Sequence, residues 1–330
     1  MVTSNKGGEA RKHHYVPQCY LKGFTHNGSR QSRLYVVDAR ERRAFPTTPL
    51  KIAAERDFNR IDGDEPNAIE AIYSDFETKA GPALVRTDAR GTFASDEDLA
   101  VILELVALLA VRNPRRREHT RKFYEHSSHV MMDLLVADKQ RWEAREQRAI
   151  AEGFTEPSII TYEEAKEFVE RGEYRVDVAT TRHVELELKL LPTVYDLLHR
   201  RTWVVLRAAP GSGGFVASDN PATLCWDDEK QAEGFYPPGF ASTHTSVVCP
   251  LSKNVAIRGC FDGRSGAIEA PANIVAAINT RTIAYSDRQV YAESDQFRFV
   301  APDGAVLHGH ALLSIVPPEM KVTGPVSPPS

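Results

Sequence analysis

Two histidines stand side by side at His13-His14. Imidazole can ligate a metal or act as a general base near neutral pH. Neighbours in an extended chain point to opposite faces, so one metal is not expected to take both rings. Either one ring faces a site while the other packs, or both are structural and brace the turn through Tyr15, Pro17 and Gln18. Far along the chain comes Ser218-Asp219-Asn220-Pro221. Asp219 and Asn220 are hard oxygen donors suited to Mg2+ or Mn2+, and with His14 they form the expected metal set. Asp219-Asn220-Pro221 is also a turn former, with its side chains bonding nearby backbone N–H groups.

Carboxylates and arginines complete the inventory. Glu70 and Glu77 are seven residues apart, two turns along one helix face, with Asp75 on another. Glu77 is read either as turned toward a site or as part of a solvated face. Arg112, Arg115, Arg116, Arg117, Arg121 and Lys122 are crowded together against a single Glu118. Arg112 ends an apolar run, and there it needs a carboxylate or an anionic ligand. Its planar fork suits phosphate. The candidate catalytic residues are therefore His13, His14, Asp219 and Arg112.

The elements that must position these residues follow from pattern. Val16 to Leu21 opens a short helix, with Pro17 suited to its first turn and Gly23 helping to end it. Leu34 to Val37 reads as a strand, with a mate near Phe45. A helix follows Pro66, with Gly81-Pro82 expected to kink or end it. Ser95 to Asp98 opens a second helix, apolar on most sides to about Arg112 and so central to the core. A long polar helix is expected from Arg115 toward Ala149. Thr161 and Glu164 fit a capping box, and another helix fits Thr181 to His199, kinked by Pro192. Strand-like runs then take over at 202–206, 214–217, 246–249 and 255–258, with a hairpin turn at Gly211-Ser212-Gly213-Gly214. A last helix covers Asn273 to Ala284. Helices in the middle, with mainly antiparallel strands from the N- and C-terminal parts, make an α+β arrangement. Residues 1–12 read as a flexible arm, 13–315 as a single domain and 316–330, with five prolines, as a disordered tail.

Composition narrows the classes. The chain has 330 residues, with 42% hydrophobic and 26% charged, which suits a globular protein able to bury a full core. The longest apolar run, Leu99 to Val111, is too short for a bilayer span, which takes about 20 residues. The polar N-terminus shows no secretory pattern. Cys19, Cys225, Cys249 and Cys260 form no C-x-x-C pair, which fits a reducing cytoplasm. Net charge is −4, yet residues 1–60 hold 12 Lys and Arg against 5 Asp and Glu. Such asymmetry fits either an anionic partner or a solvated basic face. No Walker loop, G-x-G-x-x-G, H-E-x-x-H or G-x-S-x-G occurs.

One stretch is specific. His13-His14-Tyr15-Val16-Pro17-Gln18-Cys19-Tyr20-Leu21-Lys22-Gly23-Phe24 resembles the opening signature, H-H-Y-V-P-Q-x-Y-L-x-x-F, of a large bacterial family known only as a domain of unknown function. Arg112-Asn113-Pro114, Phe215 to Pro221, Pro250-Leu251-Ser252, Ala277-Ile278-Asn279 and Tyr285-Ser286 also resemble that family. The likeness covers roughly His13 to Val300. It implies one shared fold and no particular reaction.

Two readings follow. In the first, the chain is a metal-dependent phosphodiesterase or nuclease. A His13 or His14 base, Mg2+ or Mn2+ near Asp219 and Asn220, and Arg112 on phosphate would act on nucleic acid or another phosphate-bearing ligand. In the second, it is a non-catalytic ligand- or partner-binding domain whose motif residues form a structural polar network.

Overall fold

A computed structural model describes residues 12–63, 65–153, 160–172, 174–228 and 236–315. The expected arm and Pro-rich tail fall almost wholly outside these residues. In chain order the elements are β1 (Lys12–His14), α1 (Gln18–Leu21), β2 (Leu34–Asp38), β3 (Arg43–Thr47), β4 (Ala54–Arg56), α2 (Ala68–Arg90), α3 (Asp96–Val111), α4 (Pro114–Val136), α5 (Lys139–Ala151), α6 (Tyr162–Arg171) and α7 (Thr180–His199). Then come β5 (Thr202–Ala208), β6 (Ala217–Ser218), β7 (Thr223–Trp226), β8 (Thr245–Pro250), β9 (Val255–Cys260), β10 (Gly266–Ala270), α8 (Ala272–Tyr285), β11 (Gln289–Ala292), β12 (Arg298–Val300), β13 (Val306–His308) and α9 (Leu312–Ile315). The α+β class with a helical middle is what the sequence pattern predicts.

These elements fall into two compact units. One takes the chain up to residue 115 and from residue 184 onward; the other is 116–183. Reading 13–315 as one domain leaves that division unmarked, apart from the Asn113-Pro114 break beside it.

In the larger unit, α3 is the hub. Ser95 caps its start by accepting the Asp98 N–H, and the acidic first turn suits the positive end of the helix dipole. Ile102, Leu103, Leu105, Val106, Ala107 and Leu109 are buried all round. A five-stranded sheet runs β10-β5-β9-β8-β7, with β10 parallel to β5 and the other pairs antiparallel. Alternation splits its strands between two cores. Val205, Val247, Cys249 and Ile257 join the core built on α3. Leu206, Val248 and Ala256 turn the other way, onto Val275 and Ile278 of α8. Both faces are covered, which is why 246–249 reads as a continuous apolar run. A second sheet, β3-β2-β11-β6, is antiparallel throughout, and β1 pairs with β4.

The smaller unit holds most of α4 together with α5 and α6. Val136, Ala165 and Val169 form its core with Met132, Trp142 and Tyr162. The Thr161–Glu164 capping box is present.

Three local expectations change. Helix α2 runs through Gly81-Pro82 to Arg90, because Pro82 and the Thr78 carbonyl it leaves without a donor lie on the exposed face, where water serves. The helix expected from Arg115 to Ala149 is broken, because Asp138 caps a new one by accepting the Arg141 N–H. Finally, Gly211 to Gly214 is no hairpin: β5 and β6 belong to different sheets. Gly213 and Gly214 have positive φ, and a Cβ on them would lie 2.6 Å from the Gln296 carbonyl and 2.9 Å from the Lys253 carbonyl.

Gly259 on β9 lies under the Trp203 ring, where a Cβ would approach to 2.7 Å. Gly259→Ala is expected to cost about 1–3 kcal/mol by overpacking. Urea unfolding should read the loss, and adding Trp203→Leu should make the second methyl step nearly free.

Candidate functional site

The N-terminal motif is wired into the fold residue by residue. His13 is fully buried, and its Nδ1 accepts the Asn59 backbone N–H at 2.9 Å. The Asn59 side chain donates to Glu70 at 2.7 Å. His14 is half-buried against the Gln18 amide, 3.2 Å from its Nε2. Burial first, then Lys12, lowers the His14 pKa, while Glu70 and the carbonyls of Leu50 and Pro49 oppose. The ring is therefore neutral at pH 7. Pro17 precedes α1, and the Tyr20 hydroxyl donates to the Pro250 carbonyl at 2.7 Å. Lys253 donates its N–H to the Gly23 carbonyl. The Pro250-Leu251-Ser252 turn is thus docked on α1, and Ser252 donates in turn to Asp88.

Arg112 is the largest fully buried side chain described. It caps α3, donates to the Tyr15 carbonyl at 3.3 Å, and its guanidinium sits 4.0 Å above the Tyr73 ring centroid. Glu77 lies within its field. Burial raises the Glu77 pKa, and the Cys19 N–H and Arg112 counter it. Glu70, Tyr73 and Glu77 recur at helical spacing on α2, and that face meets the 13–22 segment at Cys19, whose N–H Glu77 accepts, and at His14, which lies in the field of Glu70. The half-exposed reading of Glu77 as a solvated side chain gives way to this inward one.

Asp219 sits elsewhere in the network. Its Oδ1 accepts the Asp287 N–H, and its Oδ2 accepts the N–H groups of Arg288 and Gln289, all at 2.8 Å. Three of its roughly four acceptor positions are used. Full burial pushes its pKa up to about 7, against those three N–H bonds. Ser218 Oγ accepts the Asn220 N–H, while Asn220 Oδ1 accepts from Asn113 and its Nδ2 donates to the Tyr285 carbonyl. Arg115 donates to that same carbonyl. Asn279 closes the region, accepting the Val216 N–H and donating to the carbonyls of Gly214 and Arg298.

Tyr15 joins the two regions. Its carbonyl holds Arg112, and its buried phenol lies beside the Tyr291 hydroxyl and in the field of Asp219. Burial first, then Asp219, raises the phenol's pKa. Tyr291 donates to Gln289, Gln289 to Asp38, and Asp38 also takes Arg288 at 2.8 Å.

The Arg112 and Asp219 regions therefore meet through Tyr15. His14, Asp219 and Asn220, the expected metal set, do not share a bonding network: His14 answers to Gln18, Lys12 and Glu70. Among the described residues no group of three or more His, Cys, Asp or Glu is placed to hold a metal ion. Sequence reading missed Asn59, Tyr73, Tyr291, Gln289 and Asp38. Each is a lone polar or aromatic residue with no motif around it.

Residues 12–296 match the family model described as "Protein of unknown function (DUF4238)". The chain belongs to the DUF4238 family. No curated protein and no solved structure matches it. The DUF4238 span takes in both regions just described and ends short of β12, at the turn before it.

Asp219 makes a pH signature. Its folded pKa lies above the ordinary carboxylate value, so the folded chain holds the extra proton between about pH 4 and pH 7. Its contribution is complete below pH 4 and is lost as pH rises through 7. Chemical denaturation from pH 5 to 8 should show that decline, and Asp219→Asn should flatten it.

Proposed function

We propose that this DUF4238 chain is a ligand-binding domain. In it His13, Arg112, Ser218, Asp219 and Asn220 form a structural frame, and His14, Gln18, Glu70 and Glu77 form the binding face. One observation carries the reading: the Asp219 carboxylate is clasped by three consecutive backbone N–H groups. A carboxylate so engaged fixes a turn and has little capacity left for a metal. Asn220 is likewise spent on Asn113 and the Tyr285 carbonyl. Arg112 lies under a carbonyl and over a ring, which suits an internal brace.

The binding face is different in kind. His14, Gln18, Glu70 and Glu77 are half-buried and so reach solvent. They lie along one seam between the 13–22 segment and α2. No helix among the described residues is long and apolar enough to cross a membrane.

The metal-dependent nuclease reading makes opposite demands, and one set of variants separates them. Asp219→Ala is expected to lose about 1–3 kcal/mol per stranded donor region, and Arg112→Ala a similar amount or more. His14→Gln and Glu77→Gln should stay within about 1 kcal/mol of the parent. Mg2+, Mn2+ and EDTA should leave melting unchanged, with no cleavage of DNA or RNA. Metal-dependent cleavage that Asp219→Ala abolishes without lowering stability would restore the nuclease.

A further inference from the structure

Helix α4 leaves an apolar stripe uncovered. Phe123 is 67% exposed, Met131 and Leu134 are each 63% exposed, and Val130 is 44% exposed. No other helix among the described residues exposes as many large apolar side chains. At about 3.6 residues per turn, Thr120, Phe123, Ser127, Val130 and Leu134 fall along one line, with Met131 beside it. The opposite line is already used. Met132 and Val136 pack with Ala165 and Val169, and the His129 ring stacks on Tyr174. Arg121, also turned away from the stripe, bonds Glu118 and Glu125. The smaller unit therefore builds its core on one side of α4 and leaves the other side open. A row of exposed apolar side chains rimmed by polar ones marks a contact surface.

The charges on α4 decide what fits. Residues 114–122 hold five Arg and Lys against one Glu, while residues 123–136 hold Glu125 and Asp133 with no Lys or Arg. Val130, Met131 and Leu134 lie on the acidic half, next to Asp133. That placement does not suit an anionic membrane or a nucleic acid, either of which wants cations beside the apolar side chains. Asp133 is exposed and forms no ion pair among the described residues. A second α4 laid antiparallel answers these features together. Its basic half lies along the acidic half of the first, and the two helix dipoles run opposed. The surface is then complementary to itself, as a two-fold dimer requires.

We propose that two copies of this chain pair through α4, antiparallel about Ser127. A two-fold axis there sets Ser127 against its own counterpart, and so small a side chain lets the helices approach closely. Phe123 then faces Met131 of the second copy, and Thr120 faces its Leu134. Lys122 and Asp133 share one flank of the stripe, so Lys122 comes level, within one residue, with Asp133 of the second copy. Among the described residues Lys122 has one ion pair, a 3.7 Å contact to Glu118, and its flexible stem can turn to the new carboxylate. Each of these contacts occurs twice. The contact lies wholly in the smaller unit, so it stands apart from the binding face of the 13–22 segment.

Sedimentation velocity on the full chain, from nanomolar to high micromolar protein, should show a monomer passing into a dimer. Met131→Glu and Leu134→Glu alter exposed side chains, so as dilute monomers they should melt like the parent. Each should nevertheless weaken the dimer by about tenfold or more. Asp133→Lys and Lys122→Glu should each weaken it several-fold, and the double variant should recover most of the parent affinity. Ser127→Cys should add a disulfide-linked dimer under mild oxidation that the parent chain does not form. Vesicles of phosphatidylcholine with phosphatidylserine serve as the competing arm. A parent chain that stays monomeric at every concentration overturns the proposal. A chain that pellets with the vesicles, and ceases to with Leu134→Glu, gives the stripe to lipid and overturns it too. So does a dimer that neither Met131→Glu nor Leu134→Glu weakens, since its contact then lies elsewhere.

Discussion

A buried guanidinium and a backbone carbonyl hold the N-terminal motif in place. Arg112 closes α3, the most buried helix described, and reaches Tyr15 in a segment nearly a hundred residues earlier. Such a charge is tolerable in a core only when its hydrogen bonds and its surroundings answer it. Here a carbonyl, the face of Tyr73 and the field of Glu77 do so. Removing any of these exposes a desolvated cation, so α2, α3 and the 13–22 segment are bound to one another by a single electrostatic requirement.

Tyr15 carries that requirement across the molecule. Its phenol contacts Tyr291 and feels Asp219, and those two lie on β11 and just after β6. Asp219 in turn fixes the turn that feeds β11 by taking three of its N–H groups. The sheet edge, the turn and the N-terminal motif are therefore coupled, although they come from opposite ends of the chain. The chemistry of the motif residues is largely consumed in this coupling. What remains accessible is the outer half of the seam, where His14 and Gln18 face the carboxylates of α2.

Much of this was legible in the sequence, for physical reasons. The apolar run from Leu99 to Val111 could only be a buried helix, and Ser95 with three acids marked its start. The shared helix face of Glu70 and Glu77 follows from seven-residue spacing alone. Strand runs such as 246–249 were legible because both sheet faces are covered. Other features had no local signal. Pro82 is tolerated because it faces water, which sequence does not reveal. The Gly211-Ser212-Gly213-Gly214 turn looks like a hairpin but connects two sheets, since strand partners are chosen by long-range packing. Asp219 has the composition of a ligand, and its clasp depends on where residues 287–289 happen to lie. Asn59 is a single polar residue in an unremarkable stretch, and its bonds to His13 and Glu70 exist only in three dimensions.

The coupling between Asp219 and the N-terminal motif is the centre of this account, and native-state hydrogen exchange measures it directly. Asp219→Ala is compared with the parent chain under native conditions. If Asp219 serves the frame, exchange should accelerate at residues 287–289 and also at residues 15–21, about two hundred positions away in sequence. Acceleration confined to 287–289, with residues 15–21 protected as in the parent, would contradict it.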